Sequence, residues 1–388
     1  MRTSVHSGCR GGKEVRMKIL QIAPLWETVP PPAYGGTEAV VHLLVEELVR
    51  QGHDVTLWAS GDSKTSARLQ SCCPSSLRTK EDIYSKSVYS CLHASLALKD
   101  AQHYDIVHNH AGEEVMAISH LLPDLLMLTT MHCVVTPDTR RVWDNYRAYF
   151  NSISWSQRRL MPEIRGGRFA GVAYNAIDVA SFPFQNQKQD YILFLSRMSP
   201  EKGPTLAIEV ARRTGRRLVM AGKVDAKDRD FFTREVQPLI DGEHIVFMGE
   251  ADAVLKRELY REASGVVMPI EWDEPFGLVM PEAMACGTPV IVFNRGAAPE
   301  IVEHGETGFV VDTLDEMVQA VAKLHTVDPA YCRARAVQRF DAPIMARRYL
   351  GIYESIIEAR RPWAATATPA PGSYVAERAE ELSPTRVA

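Results

Sequence analysis

Glu274 and Glu282 lie with seven residues between them, in Glu274-Pro275-Phe276-Gly277-Leu278-Val279-Met280-Pro281-Glu282. Gly277 allows close backbone approach at a turn, and Pro281 suits the first turn of a helix, where its missing N–H costs nothing. Gly287 then suits the end of that helix, and Pro289 stops any continuation. The free N–H groups from about Gly277 to Val279 would form an anion site at the helix start, with phosphate as its natural occupant. Acids beside a phosphate repel it unless they face neutral hydroxyls, from which carboxylates accept well. The pattern therefore asks for a ligand with both phosphate and sugar, a nucleotide sugar. The alternative is that Glu282 only favours the first helical turn and Glu274 is solvated.

Such a loop needs strands on either side. Residues 264–270 and 289–293 read as buried strands, giving a strand-loop-helix-strand unit with its ligand at the loop. Upstream, 17–23 reads as a buried first strand and 38–51 as an amphipathic helix on Val41, Leu44, Val45, Leu48 and Val49. With a second strand at 55–59 this is a βαβ unit, which implies a parallel sheet. Gly35-Gly36 lies between the first strand and its helix, where paired glycines let backbone approach a ligand, although a structural turn alone would also explain them. The turn lacks the Gly-Lys-Ser/Thr of a Walker loop, and no Gly-x-Gly-x-x-Gly occurs in the chain.

Residues 104–110 form a further strand, ending in His108-Asn109-His110. Alternation puts both imidazoles on one face. That invites a metal, but a third ligand is missing, so no metal site is expected and His110 is read as lining the cleft. The next strand, 125–131, ends at His132, where parallel sheets bind ligands. Arg140, Arg141, Arg147, Arg158, Arg159, Arg165 and Arg168 form either a solvated helical face or a contact surface for an acidic acceptor or an anionic membrane.

A polar stretch at 185–190 separates the two halves. A strand at 191–196 is followed by Arg197 and Lys202-Gly203 and then a helix. Two cations between strand and helix suit a diphosphate, since Arg binds bidentately and Lys supplies a point charge. Strands at 218–222 and 244–249 end in Gly222 and Gly249, and an amphipathic helix at 342–360 carries Ile344, Leu350, Tyr353, Ile356 and Ile357.

Glu274 and Glu282 around Pro-Phe-Gly-Leu, continued by Glu282-Ala-Met-Ala-Cys-Gly-Thr-Pro-Val290, resemble the signature of retaining glycosyltransferase family 4, the glycosyl transferases group 1 of the GT-B class. The resemblance runs from about residue 18 to 357. It implies an α/β fold of two Rossmann-like parallel-sheet domains facing across a deep cleft. The implied activity is transfer of a sugar from a nucleotide diphosphate sugar, of the UDP-sugar or GDP-mannose type, to an acceptor hydroxyl with retention. The acceptor would be a saccharide, a lipid-linked molecule or a small molecule, and no cofactor beyond the donor is implied.

By the same resemblance Glu274 holds hydroxyls of the donor sugar, Glu282 those of the ribose, and Arg197 and Lys202 the diphosphate. His132 contacts the donor sugar, while Gly35 and Gly36 close over its phosphate. Phe276, Gly277 and Leu278 shape the donor loop, and Gly222, Lys223 and Gly249 lie on the side of the base. The sequence departs from the family pattern at Trp155, where an acidic residue is usual, at Ala176 in Asn175-Ala176-Ile177-Asp178, and at Gly296-Ala297-Ala298, which has one glycine fewer. Rival readings on the same fold are an epimerase, a sugar phosphorylase or a nucleotide-sugar-binding protein without transfer. A degenerate binder should lose Glu274, Lys202 or His132, and all three are present.

Composition narrows the setting. The 388 residues suit two domains, 46% hydrophobic and 24% charged residues are ordinary for a soluble chain, and a net charge of -4 gives no field for nucleic acid. Seven scattered cysteines without a Cys-x-x-Cys pair suit a reducing, cytoplasmic setting. The expected organisation is a disordered extension at 1–16, an acceptor domain at 17–185 and a nucleotide-sugar domain at 186–340. A helix crossing back to the first domain at 341–361 and a disordered tail at 362–388 follow.

Overall fold

The computed structural model describes residues 16–32, 35–78, 80 and 83–359. Apart from Arg16, the two segments expected to be disordered lie outside the described residues. Strands β1 (Lys18–Ile22), β2 (Asp54–Trp58), β3 (Arg68–Gln70), β4 (Ile106–Asn109), β5 (Met127–Met131), β6 (Tyr149–Ser152) and β7 (Arg168–Val172) form one parallel sheet in the order β3-β2-β1-β4-β5-β6-β7. A second parallel sheet contains β8 (Tyr191–Leu195), β9 (Arg217–Ala221), β10 (Ile245–Phe247), β11 (Gly265–Met268), β12 (Val290–Phe293) and β13 (Gly308–Val311), in the order β10-β9-β8-β11-β12-β13. The fold is thus α/β with two Rossmann-like sheets.

The strands are short, and the central ones are buried along nearly their whole length because helices cover both faces. In β1, Ile19, Leu20, Gln21 and Ile22 are all fully buried. The helix Gly36–Arg50 turns Val40, Val41, Leu44, Val45 and Leu48 onto this sheet. In both sheets strand order reverses beside the first strand of the half, between β1 and β4 and between β8 and β11. At such switch points the loops leaving the carboxyl ends diverge and open a crevice.

The arginine-rich stretch is not one helical face. It passes through the helix Pro137–Asn145, β6, the helix Trp155–Leu160 and β7. Arg140 pairs with Asp144, Arg159 with Glu300, and Arg158 lies over the Phe169 ring. Among the described residues no helix is long and apolar enough to cross a membrane.

Two chain crossings join the sheets. Main-chain hydrogen bonding ties Ile177 to Phe340, so the outgoing strand of chain after β7 and the returning chain before the last helix run side by side. The last helix, Ala342–Ala359, then buries Met345, Ala346, Tyr349, Ile352, Tyr353 and Ile356 in the apolar core of the first sheet, beside the helix Gly36–Arg50. A further tie runs through Glu300, which follows β12. Its carboxylate accepts from the Trp155 N–H at 2.8 Å and from the Ser156 N–H, receives the Tyr174 hydroxyl at 2.9 Å and meets Arg159 at 3.3 Å. Trp155, which departs from the family pattern, therefore contributes its backbone, while Glu300 caps the helix start across the two halves.

Glu300→Ala removes the acceptor for two orphan helix N–H groups and for Tyr174. Urea unfolding should report a loss of about 2 kcal/mol, the sum expected for a lost cap and an unpaired partly buried hydroxyl.

Candidate active site

The residues singled out in the sequence come from the carboxyl ends of strands in both sheets. His110 and His132 follow β4 and β5, Arg197 and Lys202 follow β8, Gly222 follows β9, Gly249 follows β10, and Glu274 follows β11. Leu278 reaches the first sheet's side of the cleft, where its Cδ1 lies 3.5 Å from the place a Cβ on Gly36 would occupy. The glycine turn and the Phe276-Gly277-Leu278 loop therefore meet face to face, at ordinary van der Waals distance.

Glu274 and Lys202 form a direct ion pair, and Trp272 Nε1 donates to the same carboxylate oxygen at 3.1 Å. The Lys202 ammonium also lies 5.1 Å from the Trp272 ring centre, so one aromatic residue braces both charges. Gly203 makes the turn that carries Lys202. Its φ is +69°, and a Cβ there would fall 2.2 Å from the Pro269 carbonyl oxygen. Arg197 pairs with Glu201 at 3.1 Å and with Asp225 at 3.5 Å, and Lys223 meets Asp225 at 2.5 Å. Hydrogen bonds and cations hold the Asp225 and Glu201 carboxyls below the usual range, although desolvation opposes this in both. Gly222 and Gly249 are brought together by a 2.8 Å main-chain hydrogen bond.

Two expectations need correcting in part. The Phe276 ring is 2% exposed and packs with Tyr174 and Phe340, so the side chain anchors the loop and only its backbone can face a ligand. Glu282 sits on the helix Val279–Ala285 and is buried, accepting from Lys256 Nζ at 2.7 Å and Tyr260 OH at 2.9 Å. Its carboxylate is thus already bonded inside the second half, and a ribose would share it with these two groups.

His132 donates or accepts through Nε2 at 2.9 Å from His110 Nδ1, and His110 Nε2 meets Gln21 Oε1 at 2.9 Å. His108 is bonded on both nitrogens, to Tyr353 OH and Thr130 Oγ1 at 2.6 Å each. Both ring nitrogens of His108 and of His110 are thus bonded to protein partners. Among the described residues no group of three or more His, Cys, Asp or Glu is arranged to hold a metal ion. Burial pushes His132 down to about 4 and His108 and His110 well below their ordinary value. A cavity of about 220 Å³ beside this cluster is lined by Met131, Val134, Leu160 and Met161 from the first half and by Glu274 and Pro275 from the second.

Gly296, named in the sequence only as part of a segment that departs from the family pattern, was not among the candidate site residues. It takes φ +54°, and a Cβ on it would lie 2.4 Å from both the N and the O of Glu274. Its N–H donates to Asp273 at 3.1 Å, and the Ala297 N–H donates to the Glu274 carbonyl at 2.9 Å. This glycine holds the Glu274 loop from below, and the loss of a neighbouring glycine to Ala297 leaves that contact intact. The polar residues Gln21, Thr130 and Asn151, set inside otherwise apolar strands, were the available signal for the buried network.

Gly296→Ala should force a side chain against the Glu274 backbone, and urea unfolding should report a loss of about 1–3 kcal/mol, the range for overpacking a tight contact. A second expectation concerns pH. The unfolded chain takes up protons on its histidines near pH 6.5, whereas folded His93, also buried and pushed down to about 4, and His132 refuse them until about pH 4. Stability is therefore full above pH 6.5 and falls as pH drops toward 4, by up to about 1.4 kcal/mol per pH unit for each such histidine. Melting curves from pH 7 to 4.5 should show the decline, and His93→Gln should flatten part of it.

Two family descriptions match the chain: Glycosyltransferase Family 4 over residues 34–167 and Glycosyl transferases group 1 over residues 180–335. D-inositol 3-phosphate glycosyltransferase of Acidothermus cellulolyticus is 31% identical over 195 residues, which are 44% of this chain and 42% of that protein. The relatives matched at 31% to 36% identity are covered over less than half of their own length. Phosphatidyl-myo-inositol mannosyltransferase of Mycolicibacterium smegmatis matches at 25% identity over 88% of this chain and 94% of its own. The crystal structure of AviGT4, a glycosyltransferase involved in avilamycin A biosynthesis, superposes with a TM-score of 0.67 at 26% identity, covering 88% of this chain and 98% of that one. One glycosyltransferase description thus matches each half of the chain, and the two-sheet fold is shared with a solved glycosyltransferase.

Proposed function

We propose that this protein moves a sugar from a nucleotide diphosphate sugar, of the UDP-sugar or GDP-mannose type, to an acceptor hydroxyl with retention of configuration. The observation that carries the reading is the Lys202–Glu274 pair at the mouth of the cleft, with Arg197 beside it and the Gly36 turn opposite Leu278. A cation and a carboxylate side by side match the two ends of such a donor: phosphate oxygens for Lys202, sugar hydroxyls for Glu274. Glu201 and Asp225 keep Arg197 and Lys223 near the place a diphosphate would take, so binding exchanges carboxylate partners for phosphate oxygens.

The chemistry follows from that exchange. The bond from the anomeric carbon to the β-phosphate oxygen breaks, and Arg197 and Lys202 stabilise the charge left on the phosphate. The acceptor hydroxyl attacks on the face the leaving group vacates, and its proton passes to the departing phosphate oxygen. Glu274 orients the sugar by accepting from its hydroxyls, while Trp272 Nε1 holds the carboxylate in place. The cavity lined by Met131, Val134, Leu160 and Glu274 is the acceptor's approach. A mannosyltransferase and an inositol phosphate glycosyltransferase among the relatives support hexosyl transfer.

Purified protein should be stabilised by one of UDP-glucose, UDP-GlcNAc, UDP-galactose, GDP-mannose and ADP-glucose, and should slowly release nucleotide from it. Lys202→Ala should lower that turnover by about 100- to 1,000-fold, the range for one lost charge-stabilising group, and Glu274→Ala should weaken both effects. Failure of every nucleotide sugar to stabilise the protein or turn over would overturn the proposal.

A further inference from the structure

Beneath the cleft, polar side chains from β1, β4, β5, β6 and the last helix form one buried chain of hydrogen bonds, and its direction can be read from a single main-chain atom. The carbonyl of Ser152 can only accept. Asn151 therefore turns Nδ2 toward it, at 3.3 Å, and leaves Oδ1 facing Thr130 Oγ1 at 2.7 Å. Because Oδ1 accepts, Thr130 donates. His108 Nε2, 2.6 Å from the same hydroxyl, must then carry a proton. Tyr349 OH fits the same sense, accepting from Asn151 Nδ2 at 3.4 Å and giving its proton to Thr130 at 3.2 Å.

The direction continues without a break. His108 Nδ1 accepts from Tyr353 OH at 2.6 Å, so the tyrosine oxygen is left to accept from Gln21 Nε2 at 3.0 Å. Gln21 consequently points Oε1 at His110 Nε2, 2.9 Å away, which must be the protonated nitrogen. His110 Nδ1 is then an acceptor, and the N–H it receives at 2.9 Å is that of His132 Nε2. Gln21, His108, Asn151, Tyr349 and Tyr353 are fully buried, so water does not compete for these bonds. Reversing the chain would set the Asn151 oxygen against the Ser152 carbonyl.

We propose that this relay, polarised by the Ser152 carbonyl and routed through Tyr353 of the last helix, holds His132 as a neutral imidazole protonated on Nε2, with the Nδ1 lone pair presented to a ligand hydroxyl. Gln21, Thr130 and Tyr353 are positioning residues in this arrangement. The role of the lone pair rests on the reading of His132 as a donor-sugar contact, while the tautomer itself does not. Nδ1 has no hydrogen-bond partner among the described residues, and the depressed affinity of the partly buried ring for a second proton agrees with a neutral form. His132 then accepts a hydrogen bond and supplies no positive charge. The helix that returns from the second half thereby decides which ring nitrogen a sugar meets.

Nitrogen-15 spectra of the histidine rings test this on the full chain without any ligand, with His132→Gln assigning the resonance. At pH 7 the wild type should show His132 as a single neutral species with the proton on Nε2. Tyr353→Phe and Thr130→Val should each cause loss of that pattern, the two ring nitrogens converging toward a mixture of tautomers, and Thr130→Ser, which keeps the hydroxyl, should restore it. A wild-type ring protonated on Nδ1 or on both nitrogens would overturn the proposal even if the variants fail to fold, and so would a folded Tyr353→Phe or Thr130→Val protein with the wild-type pattern. Absence of turnover with every nucleotide sugar, beside the expected tautomer, would remove the transfer reading and leave the relay standing.

Discussion

The return of the last helix to the first sheet is the contact on which the rest depends. Tyr349 and Tyr353 are fully buried there, and each carries a hydroxyl that an apolar core would penalise unless it found partners. Those partners are the polar side chains that interrupt β1, β4, β5 and β6. Apolar burial and polar satisfaction thus require the same register of helix on sheet: a shift of the helix by one residue would expose the rings and strand both hydroxyls. Because the helix follows the second sheet in the chain, this docking also sets how the two halves face each other, reinforced by Glu300 at the start of the helix Trp155–Leu160.

Across the cleft the governing interaction is electrostatic. Arg197, Lys202 and Lys223 are each held by a carboxylate, and these acids keep the cations oriented at the carboxyl ends of β8 and β9. A diphosphate brings more negative charge in a more compact form than a single carboxylate, so it can displace these partners while the side chains stay near their positions. In the proposed function Glu274 would gain from the same event, since release of Lys202 to phosphate would leave its oxygens to accept from hydroxyls, and one ion pair would couple recognition of the two chemical ends of the donor.

Much of this was legible from local patterns. Buried strands ending in Gly, His, Arg or Glu, each followed by a helix, place those residues on one edge of a parallel sheet whatever the details of packing. The resemblance around Glu274 and Glu282 suggested the roles proposed for them. The arginine-rich stretch misled because charge counting along the chain ignores the two strands, β6 and β7, that pass through it. Phe276 shows a similar gap: a residue inside a loop can turn its ring into the core, and spacing does not tell which way it turns.

By itself the sequence determined the two α/β halves, the glycine turn before the first helix and the cluster of candidate residues at strand ends, because strand and helix periodicities are local and topology follows from them. Tertiary structure alone decided which acid holds which cation, that Gly296 supports the Glu274 backbone, that Glu300 caps a helix of the other half, and that His108 and Tyr353 are hydrogen-bonded. Those partners are separated by long stretches of chain, 245 residues for His108 and Tyr353 and 145 for Trp155 and Glu300. No periodicity reaches so far. Only the packing of the last helix against the first sheet brings them within hydrogen-bond distance, and the direction of the buried relay then follows from one carbonyl that cannot donate.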